Sequence, residues 1–411
     1  MIRDSVVKSV LLIGGRRTEA LEAAREAGCR VVFAGPKSAM TERHRELADA
    51  VFLLPDLAPE TAVELALAVH RVVPFDLALT VGDQYSLAAA RINHELGLGS
   101  NPLRTVAAVN DKALMREILR DKAVGRVSAA EVRTPADLQE FVEAAGFPVI
   151  VKPAQGSASK DVFVVTDRAA LESTTSRLEF PGGDSAPWVV EEFLQGREFS
   201  VETHSTAGVH HLLAVTEKFT TENFVEIGHV VPARISAEER DAIADEVRAV
   251  LTALGVQEGP GHTEIMLTAR GPRLIETHTR PGGDAIVELL RLATGHDIHR
   301  LNFAWLSGQP VDLAAEPLVG AAAIWFLTLP QGRVTAAGGL AEAEAVEGVT
   351  AADLSAAVGD VIAPIRSSED RYGEALAVGD DADGALHRAR EGVARLTVEV
   401  EPLEPAAPAA R

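Results

Sequence analysis

The chain has 411 residues, and 39 Lys and Arg against 60 Asp and Glu leave a net charge of −21. This length, with 47% hydrophobic residues, predicts about two to four folded units at ~100–200 residues each. The acidic balance argues against a nucleic-acid-binding protein, because neutralising phosphates requires a basic surface and the sequence has no basic stripe. Binding of a single nucleotide remains open, because it requires only a few cations.

Membrane insertion and secretion are not expected from the sequence. The longest apolar run, 318–327, is much shorter than the ~20 residues of a membrane span. An apolar stretch that follows Asp4 and Lys8 ends at Gly14, which is typical of a buried strand and not of a signal peptide. Cys29 is the only cysteine, so no internal disulfide can form and a reducing cytoplasm is the expected compartment.

The first hundred residues alternate between strand and helix patterns. Thr18 is expected to cap a helix that ends at Gly28. Apolar runs predict four buried strands, at 10–13, 31–34, 51–54 and 77–81. Such runs, alternating with helices, predict a parallel sheet. The Gly14-Gly15-Arg16-Arg17 loop lacks the complete dinucleotide fingerprint, which favours a Rossmann-like unit used for substrate contacts or as a scaffold over NAD binding.

From about residue 99 the pattern changes to longer helices and separate strands. The predicted elements are a helix over 111–120, a helix opened by Thr134-Pro135 and ended by Gly146, a strand over 149–152, and a helix that begins at a Ser236–Glu239 capping box. The apolar face of the last helix consists of Ile243, Val247, Leu251 and Leu254. Beyond residue 312 the sequence is rich in Gly and Ala, and the Pro- and Ala-rich stretch from Glu401 to Arg411 predicts disorder.

A hairpin is predicted from two strands, 261–268 and 272–278, joined by a three-residue turn. This register places Glu264 opposite Glu276 and, in the same way, His262 opposite His278. Facing carboxylates repel each other, so they require a cation or a shared proton between them. Oxygen ligands favour Mg²⁺, which normally keeps waters and takes phosphate oxygens as its other ligands. The alternative is a solvated hairpin with two exposed glutamates.

The segment after the second strand adds a cation and two glycines. The planar guanidinium of Arg280 suits a phosphate or a carboxylate, and Gly282-Gly283 would let the backbone approach a ligand closely. Asp284 is predicted to be the N-cap of a helix over 285–294.

A lysine and a small-residue loop form a second cluster. Lys152 ends a predicted buried strand and precedes the loop Gln155-Gly156-Ser157-Ala158-Ser159-Lys160-Asp161. A lysine before such a loop is a candidate phosphate contact, with backbone N–H groups completing the anion site. The loop is not a Walker A motif, and an ordinary flexible turn is the alternative.

A third cluster runs from Trp188 to Glu202. An apolar strand enters acidic residues, turns at Gly196 and resumes as a strand. Such a hinge exposes backbone groups that can pair with a purine edge. Glu191 could accept a hydrogen bond from an exocyclic amine, and Glu198 could accept from ribose hydroxyls.

Together and in this order, these clusters resemble the ATP-grasp superfamily of carboxylate–amine ligases over most of the chain. The resemblance implies a mixed α/β and α+β architecture with an ATP-grasp fold. The implied units are a Rossmann-like domain preceding the ATP-grasp fold (1–98), an N-terminal ATP-grasp subdomain with a flap loop (99–188), a C-terminal subdomain with the metal site (189–311), a lid-like C-terminal subdomain (312–400) and a disordered tail (401–411).

The resemblance also implies roles for individual residues. ATP phosphates would contact Lys112 and Lys152 beneath a flap that includes Gly156, Ser157, Ser159 and Lys160. The other implied contacts are adenine with Glu191 and the backbone of Phe193 and Leu194, ribose with Glu198, Mg²⁺ (or Mn²⁺ as a substitute) with Glu264 and Glu276, and the transferred phosphoryl group or acyl phosphate with Arg280.

Two positions depart from the superfamily pattern. Many members have Asn two residues after the second metal-binding Glu, where this sequence has His278. Two alternatives therefore stay open for His278: it contacts the substrate or supports a neighbouring side chain, or it binds the metal. The flap reads Lys160-Asp161 where Arg-Gly or Gly-Val is common.

Within the superfamily, His262-Thr263-Glu264 followed by Glu-x-x-x-Arg-x-Gly-Gly-Asp (276–284) resembles the dipeptide-forming L-amino-acid ligase branch. The stretch 224–232 strengthens this resemblance, which implies that Glu226 takes a substrate ammonium and that His229 lies beside the carboxylate or the attacking amine. A purely structural His229 is the alternative. Lys218 is expected either to contact a substrate carboxylate or to face solvent. His262, Gly282 and Gly283 are further candidates for substrate or supporting contacts.

The implied reaction converts ATP and a carboxylate into ADP and an acyl phosphate, which an amine then attacks. Phosphorylation supplies the leaving group that a carboxylate lacks, and Mg²⁺ with Arg280 screens charge between the two anions. The expected ligands are ATP, amino acids or related small molecules, with no nucleic acid or membrane, and a homodimer is left open. The amine's proton could go to Glu226, His229 or a substrate phosphate. The alternatives are another ATP-grasp branch that uses bicarbonate or formate, and a nucleotide-binding module without chemistry.

Overall fold

The computed structural model describes residues 8–55, 57–156, 160–180, 187–309, 313 and 317–403. The N-terminal unit contains strands β1 (Ser9–Ile13), β2 (Arg30–Pro36), β3 (Ala50–Leu54) and β4 (Leu77–Leu79), with helices α1 (Glu19–Glu26), α2 (Glu42–Leu47), α3 (Pro59–Val72) and α4 (Ser86–Glu95). The strands form one parallel sheet in the order β3-β2-β1-β4, which confirms the predicted parallel sheet. Helix α1 ends at Glu26, before the predicted Gly28, and Thr18 occupies its N-cap position without a side-chain hydrogen bond.

The second unit carries the predicted flap. It consists of α5 (Leu103–Val109), α6 (Lys112–Asp121), β5 (Ala129–Val132), α7 (Pro135–Ala145), β6 (Val149–Pro153), β7 (Phe163–Val165), α8 (Arg168–Arg177) and β8 (Trp188–Glu192). The strands form an antiparallel sheet in the order β5-β8-β6-β7. Asp111 caps α6 through two backbone N–H groups, and a capping box opens α7 at Thr134, so the predicted starts of both helices are confirmed.

The remainder of the described chain contributes β9 (Gly196–Thr206), β10 (Val209–Thr220), β11 (Glu226–Val231), α9 (Ala237–Leu254), β12 (Gly259–Thr268), β13 (Gly271–His278), α10 (Ile286–Thr294), α11 (Ile298–Leu306), β14 (Ala321–Phe326), β15 (Gly332–Gly338), α12 (Leu340–Glu344), β16 (Val349–Leu354), β17 (Val361–Ile362), β18 (Gly373–Gly379), α13 (Ala382–Arg395) and β19 (Thr397–Glu401). Glu401 ends a strand, which corrects the start of the predicted disordered tail, and 404–411 lie outside the described residues.

An eight-stranded antiparallel sheet, in the order β13-β12-β9-β10-β11-β14-β18-β16, organises this part of the chain. Strands β11 and β14 pair from Gly228 with Trp325 to Val231 with Ala322, so one sheet continues across the domain boundary predicted near residue 312. A smaller sheet has the order β17-β15-β19. In the described ranges, no helix combines the length and apolar character that crossing a membrane requires.

The two faces of the large sheet differ in chemistry because side chains alternate along each strand. One face packs against α9, whose predicted apolar residues are buried together with Phe199, Val201 and Ile265. The predicted capping box at Ser236 is present and opens this helix. The residues that alternate with the apolar ones, such as Ser200 and Glu202, face the opposite way and are nevertheless buried. That second face carries the candidate site.

Candidate functional site

Cross-strand rows of polar side chains lie on the second face of the eight-stranded sheet, over β13, β12 and β9. Two rows, each read from β13 across β12 to β9, are His278–His262–Glu202 and Glu276–Glu264–Ser200. On β10 and β11, Lys218 pairs with His229. The predicted facing of Glu264 with Glu276, and of His262 with His278, is therefore confirmed.

The predicted turn of this hairpin is wrong, and a β-bulge restores the predicted pairing. Thr268 pairs with Gly271, so the turn has two residues where three were expected, and the register shifts between Ile265 and Glu264. Ile275 is the extra residue, because Ile265 pairs with Leu274 while Glu264 pairs with Glu276. A change of one residue in register transfers a side chain to the other face of a sheet. The bulge is thus what places Glu276 on the same face as Glu264.

Glu264 and Glu276 are each held by a lysine, and the solvated-hairpin alternative is wrong. Lys218 Nζ lies 2.6 Å from Glu264 Oε1, and Lys112 Nζ lies 3.2 Å from Glu276 Oε2. The two glutamate side chains are 15% and 21% exposed. Burial would raise their pKa values, but Lys218 lowers the pKa of Glu264 to about 2, and Lys112 lowers that of Glu276 well below its usual value. Both carboxylates are therefore ionised at neutral pH.

Lys218 joins three carboxylates. Its Nζ lies 2.9 Å from Glu198, 3.4 Å from Glu226 and 2.6 Å from Glu264, and its side chain is 2% exposed. Burial alone would lower the pKa of Lys218, but the three carboxylates raise it well above the usual value. The alternative in which Lys218 faces solvent is wrong, whereas its predicted contact with a substrate carboxylate stays a prediction.

Glu191 lies in a buried ionic cluster that the sequence did not predict. Arg116 of α6 donates from Nε to Oε1 at 2.7 Å and from Nη2 to Oε2 at 3.0 Å, and Lys152 Nζ lies 2.9 Å from Oε2. Burial opposes ionisation, but Arg116 and Lys152 lower the pKa of Glu191 to about 2. Arg116 follows Lys112 by four residues and hence shares its helix face, a spacing that could have identified it. The predicted adenine contact of Glu191 stays a prediction.

The amino-acid region predicted around His229 contains a carboxylate clamp. Arg371 donates to Asp284 from Nη1 at 2.9 Å and from Nη2 at 2.6 Å, and His229 Nε2 lies 3.4 Å from Asp284 Oδ2. The prediction that Asp284 caps α10 is wrong, because the N-cap position belongs to Ala285. The Asp284 carboxylate instead accepts two charge-assisted hydrogen bonds from Arg371. Burial would raise the pKa of Asp284, but Arg371 and His229 lower it below its usual value.

The segment 363–372 brings this arginine to the site together with Ser368. Ser368 Oγ lies 3.4 Å from Glu226 Oε2, and Arg371 also lies 3.8 Å over the Phe326 ring. Arg371 is 87 residues from Asp284 in the sequence, and no spacing rule connects residues so far apart. His229 is 1% exposed, and in the described part of the chain its Nδ1 has no hydrogen-bond partner.

Arg280 is paired with the N-terminal unit. Its Nη2 donates to Asp83 at 2.6 Å, its Nε also contacts that carboxylate, and its Nη1 donates to Pro281 O at 2.8 Å. His278 connects the same carboxylate to the hairpin, with Nδ1 3.5 Å from Asp83 and Nε2 3.1 Å from Glu276. Burial would raise the pKa of Asp83, but Arg280 lowers it below its usual value. Asp83 follows the carboxyl end of β4, the end at which parallel sheets commonly place functional groups.

His262 precedes Glu264 by two residues on β12, on the same face of the sheet, and it contacts Glu202. Its Nδ1 lies 2.8 Å from Glu202 Oε1 and its Nε2 lies 3.4 Å from Glu264 Oε1. A Cβ at Gly282 would lie 2.9 Å from His262 Nδ1, so glycine is required there, whereas a Cβ at Gly283 would meet nothing within 4 Å. Burial would lower the pKa of His262, but Glu202 and Glu264 raise it to about 9.

This shift predicts a pH-dependent contribution to stability. Because the folded-state pKa of His262 of about 9 exceeds the unfolded value of about 6.5, the contribution is complete below about pH 6.5 and is lost as the pH rises through 9. The difference in unfolding free energy between the native chain and His262→Gln should therefore shrink by up to about 3 kcal/mol over this interval. Urea unfolding in metal-free buffer at several pH values measures it. His94→Gln, at an exposed position of α4, is the control, and a constant difference for His262→Gln would contradict the prediction.

The nucleotide contacts predicted near the flap are only partly described. Lys112 Nζ donates to Gly156 O at 2.9 Å, and Gly156 has a φ of 131°. Ser157 and Ser159 lie outside the described residues, and Lys160 is exposed. In the hinge after β8, Phe193 N donates to Pro148 O at 3.3 Å and Leu194 is half-buried. The predicted contacts of these residues with ATP stay predictions.

The carboxylate pair has the oxygen ligands that a divalent cation such as Mg²⁺ prefers. Among the described residues, no group of three or more His, Cys, Asp and Glu is arranged to hold a metal by itself. Mg²⁺ does not require such a group, because it is commonly bound by one or two carboxylates with waters and substrate phosphates as its other ligands. Glu264 and Glu276, both ionised and on one face, fit that pattern.

Two family models match separate parts of the chain. The family model described as an ATP-grasp domain matches residues 145–288, and the model described as L-amino acid ligase C-terminal domain 2 matches residues 325–401. The chain is 26% identical over 277 residues to an alanine–anticapsin ligase of Bacillus subtilis (strain 168), covering 62% of this chain and 59% of that protein. It is 22% identical over 329 residues to an L-arginine-specific L-amino acid ligase of Bacillus subtilis, covering 78% of this chain and 79% of that protein.

A solved structure shares the complete architecture. The crystal structure of an L-amino acid ligase from Bacillus licheniformis matches with a TM-score of 0.82 at 24% identity, covering 97% of this chain and 100% of that one. At this identity the likeness concerns the fold. Together with the ATP-grasp match, it confirms the predicted fold class.

Proposed function

This chain is a member of the ATP-grasp superfamily and carries the C-terminal domain of L-amino acid ligases, and on that premise we propose that it is an ATP-dependent ligase that joins the carboxylate of one amino acid to the amino group of another. The observation that carries the proposal is the ionised pair Glu264 and Glu276, which Lys218 and Lys112 contact. The pair lies on the sheet face that also carries His229, the partner of Asp284. Such a reaction requires carboxylates that hold a metal ion and the ATP phosphates, next to side chains that bind an amino acid.

Activation of the carboxylate uses the cations at one end of the site. Lys112 and Lys152 would contact ATP phosphates, and Lys112 already reaches Gly156 at the base of the flap. Glu264 and Glu276 would hold Mg²⁺, which when bound supplies charge neutralisation between the phosphate groups and the substrate carboxylate. Arg280 uses three of its five N–H donors on Asp83 and Pro281, which leaves two for the acyl phosphate.

The amine would bind at the other end. Glu226 would accept the substrate ammonium, and Ser368 lies against its second oxygen. His229 contacts Asp284 through Nε2, and the proton of the attacking amine would pass to Glu226, to His229 or to a substrate phosphate. Holding the amine against the acyl phosphate reduces the entropic part of the barrier, and a closed site protects that intermediate from water.

A screen of amino-acid pairs tests the proposal. Purified protein would be incubated with ATP and Mg²⁺, and ADP, phosphate and a condensed product would be measured by mass spectrometry. Formation of AMP and pyrophosphate would contradict the acyl-phosphate route. ADP release that depends on bicarbonate or formate, and not on amino acids, would assign the chain to another branch of the superfamily.

Replacing Arg371 with Met is expected to impair use of the amine more than activation of the carboxylate. The change removes both bonds from Arg371 to Asp284, so Asp284, the partner of His229, is no longer held in place. Dipeptide formation should fall about 10- to 100-fold, equivalent to about 1.4–2.8 kcal/mol of transition-state stabilisation. Trapping of the acyl phosphate with hydroxylamine should change only a few-fold. Arg366→Met, at an exposed position of the same segment, is the control, and equal losses in both assays would refute a role specific to the amine.

A further inference from the structure

The position of Glu276 depends on a backbone irregularity. Continued from the turn, the register of the hairpin would place Ile275 opposite Glu264, and Glu276 would then point to the apolar face of the sheet. The bulge at Ile275 prevents this, because Glu264 pairs with Glu276 instead. Bulges also interrupt the ladder of backbone hydrogen bonds and leave groups that require another partner.

Arg116 of α6 supplies that partner. Its Nη2 donates to Leu274 O and to Ile275 O, both at 2.9 Å. These carbonyls belong to the bulge and to the residue before it. Arg116 is 6% exposed, so water competes little for the two acceptors.

The guanidinium that holds the bulge is itself fixed. Glu191 accepts from Nε and Nη2 of Arg116, and Lys152 Nζ contacts the same carboxylate. The same helix face carries Lys112, which contacts the Glu276 carboxylate. Helix α6 therefore holds both the backbone before Glu276 and its side chain.

We propose that Arg116 is a positioning residue that keeps Glu276 on the face of Glu264, with Glu191 as its anchor. The functional part of this inference rests on the proposed use of the two glutamates for a divalent cation and nucleotide. A planar guanidinium can donate to two carbonyls and a carboxylate at once, whereas a lysine ammonium cannot reproduce this fork. Arg116→Lys should therefore fail to replace Arg116 even though it keeps the charge.

Binding of Mn²⁺ with a non-hydrolysable ATP analogue provides a readout other than turnover. Electron paramagnetic resonance should show at least about 10-fold weaker Mn²⁺ affinity for Arg116→Met and Arg116→Lys, the range found when groups that orient metal ligands are removed. Arg120→Met, at an exposed position of the same helix, should bind Mn²⁺ as the native chain does. Native-like affinity in a folded Arg116→Lys protein would overturn the inference. Arg116→Lys also keeps the test available if Arg116→Met does not fold.

A crystal structure of Arg116→Lys tests the inference independently of any activity. The expected result is a hairpin without the bulge at Ile275, or with Glu276 turned away from Glu264. An unchanged bulge would overturn the proposal, even if the native chain makes dipeptides. A native chain that binds Mn²⁺ and the ATP analogue but forms no amide would contradict the proposed ligase function and leave the Arg116 inference standing.

Glu191→Gln separates the anchoring role from the predicted adenine contact. If Glu191 anchors Arg116, the variant should lose Mn²⁺ affinity while binding of ADP in the presence of a chelator stays within a few-fold of the native value. Loss of metal-free ADP binding with unchanged Mn²⁺ affinity would instead favour the adenine contact and refute the anchor.

Discussion

Replacing Glu276 with Gln is expected to lower ATP-dependent amide formation by at least about 100-fold, equivalent to about 2.7 kcal/mol or more. The amide has nearly the same shape as the carboxylate, so packing in the hairpin should be preserved. What is lost is the negative charge that faces Glu264 and that Lys112 contacts at 3.2 Å. One of the two carboxylates proposed to hold the divalent cation would then be neutral.

The measurement for Glu276→Gln is kcat at saturating Mg²⁺, together with the apparent Mg²⁺ activation constant and the melting temperature. Glu222→Gln, at an exposed position in the loop before β11, is the control for the loss of one charge. Unchanged turnover at saturating Mg²⁺ would show that Glu276 has no part in the reaction. A reduced melting temperature with normal turnover would give it a structural role only.

Replacing Lys218 with Met is expected to lower the free energy of unfolding by about 3–5 kcal/mol, the usual cost of removing one partner from a buried charge cluster. Methionine fills a similar volume, but it leaves Glu198, Glu226 and Glu264 without the ammonium that all three contact. Three neighbouring carboxylates then repel one another, and proton uptake by one of them becomes the least costly response.

Urea unfolding of Lys218→Met at neutral and mildly acidic pH measures this effect. The loss should be smaller at the lower pH, because protonation of one glutamate relieves the repulsion. Lys122→Met, at the exposed C-cap of α6, is the control and should change stability by no more than about 0.5 kcal/mol. A loss as small as that of the control would mean that the cluster is not held by Lys218.

The sequence predicted the arrangement of the hairpin because strand periodicity is short-range information. With a period of two residues, a strand of known ends indicates which side chains share a face. The pairing of Glu264 with Glu276 was predicted from the expected three-residue turn, which is wrong. The bulge at Ile275 could not be predicted, since no glycine or unusual residue marks it. The turn is one residue shorter than predicted, and the unpredicted bulge adds one residue to the same strand, so the predicted pairing is correct at the functional end of the hairpin.

The residues that the sequence did not reveal are those whose partners lie far away along the chain. Arg116 contacts Glu191 75 residues later, and Asp83 contacts Arg280 197 residues later. An isolated arginine or aspartate on a helix or in a loop gives no signal that distinguishes a buried partner from a solvated side chain. Asp284 was assigned to a local cap for the same reason, because its actual partner, Arg371, is recognisable only after folding.

The continuous pairing of β11 with β14 determines how this enzyme scaffold can be recombined. Gly228 faces Trp325 on the neighbouring strand, and a Cβ at Gly228 would lie 2.2 Å from the Trp325 ring. A chimera that takes its C-terminal region from a related ligase would therefore have to take both β11 and β14 from that ligase. Exchange of substrate preference between relatives is expected to succeed with a crossover in the loop before β11, which takes Gly228 and Trp325 from the same parent. It is expected to fail when the junction separates Gly228 from Trp325.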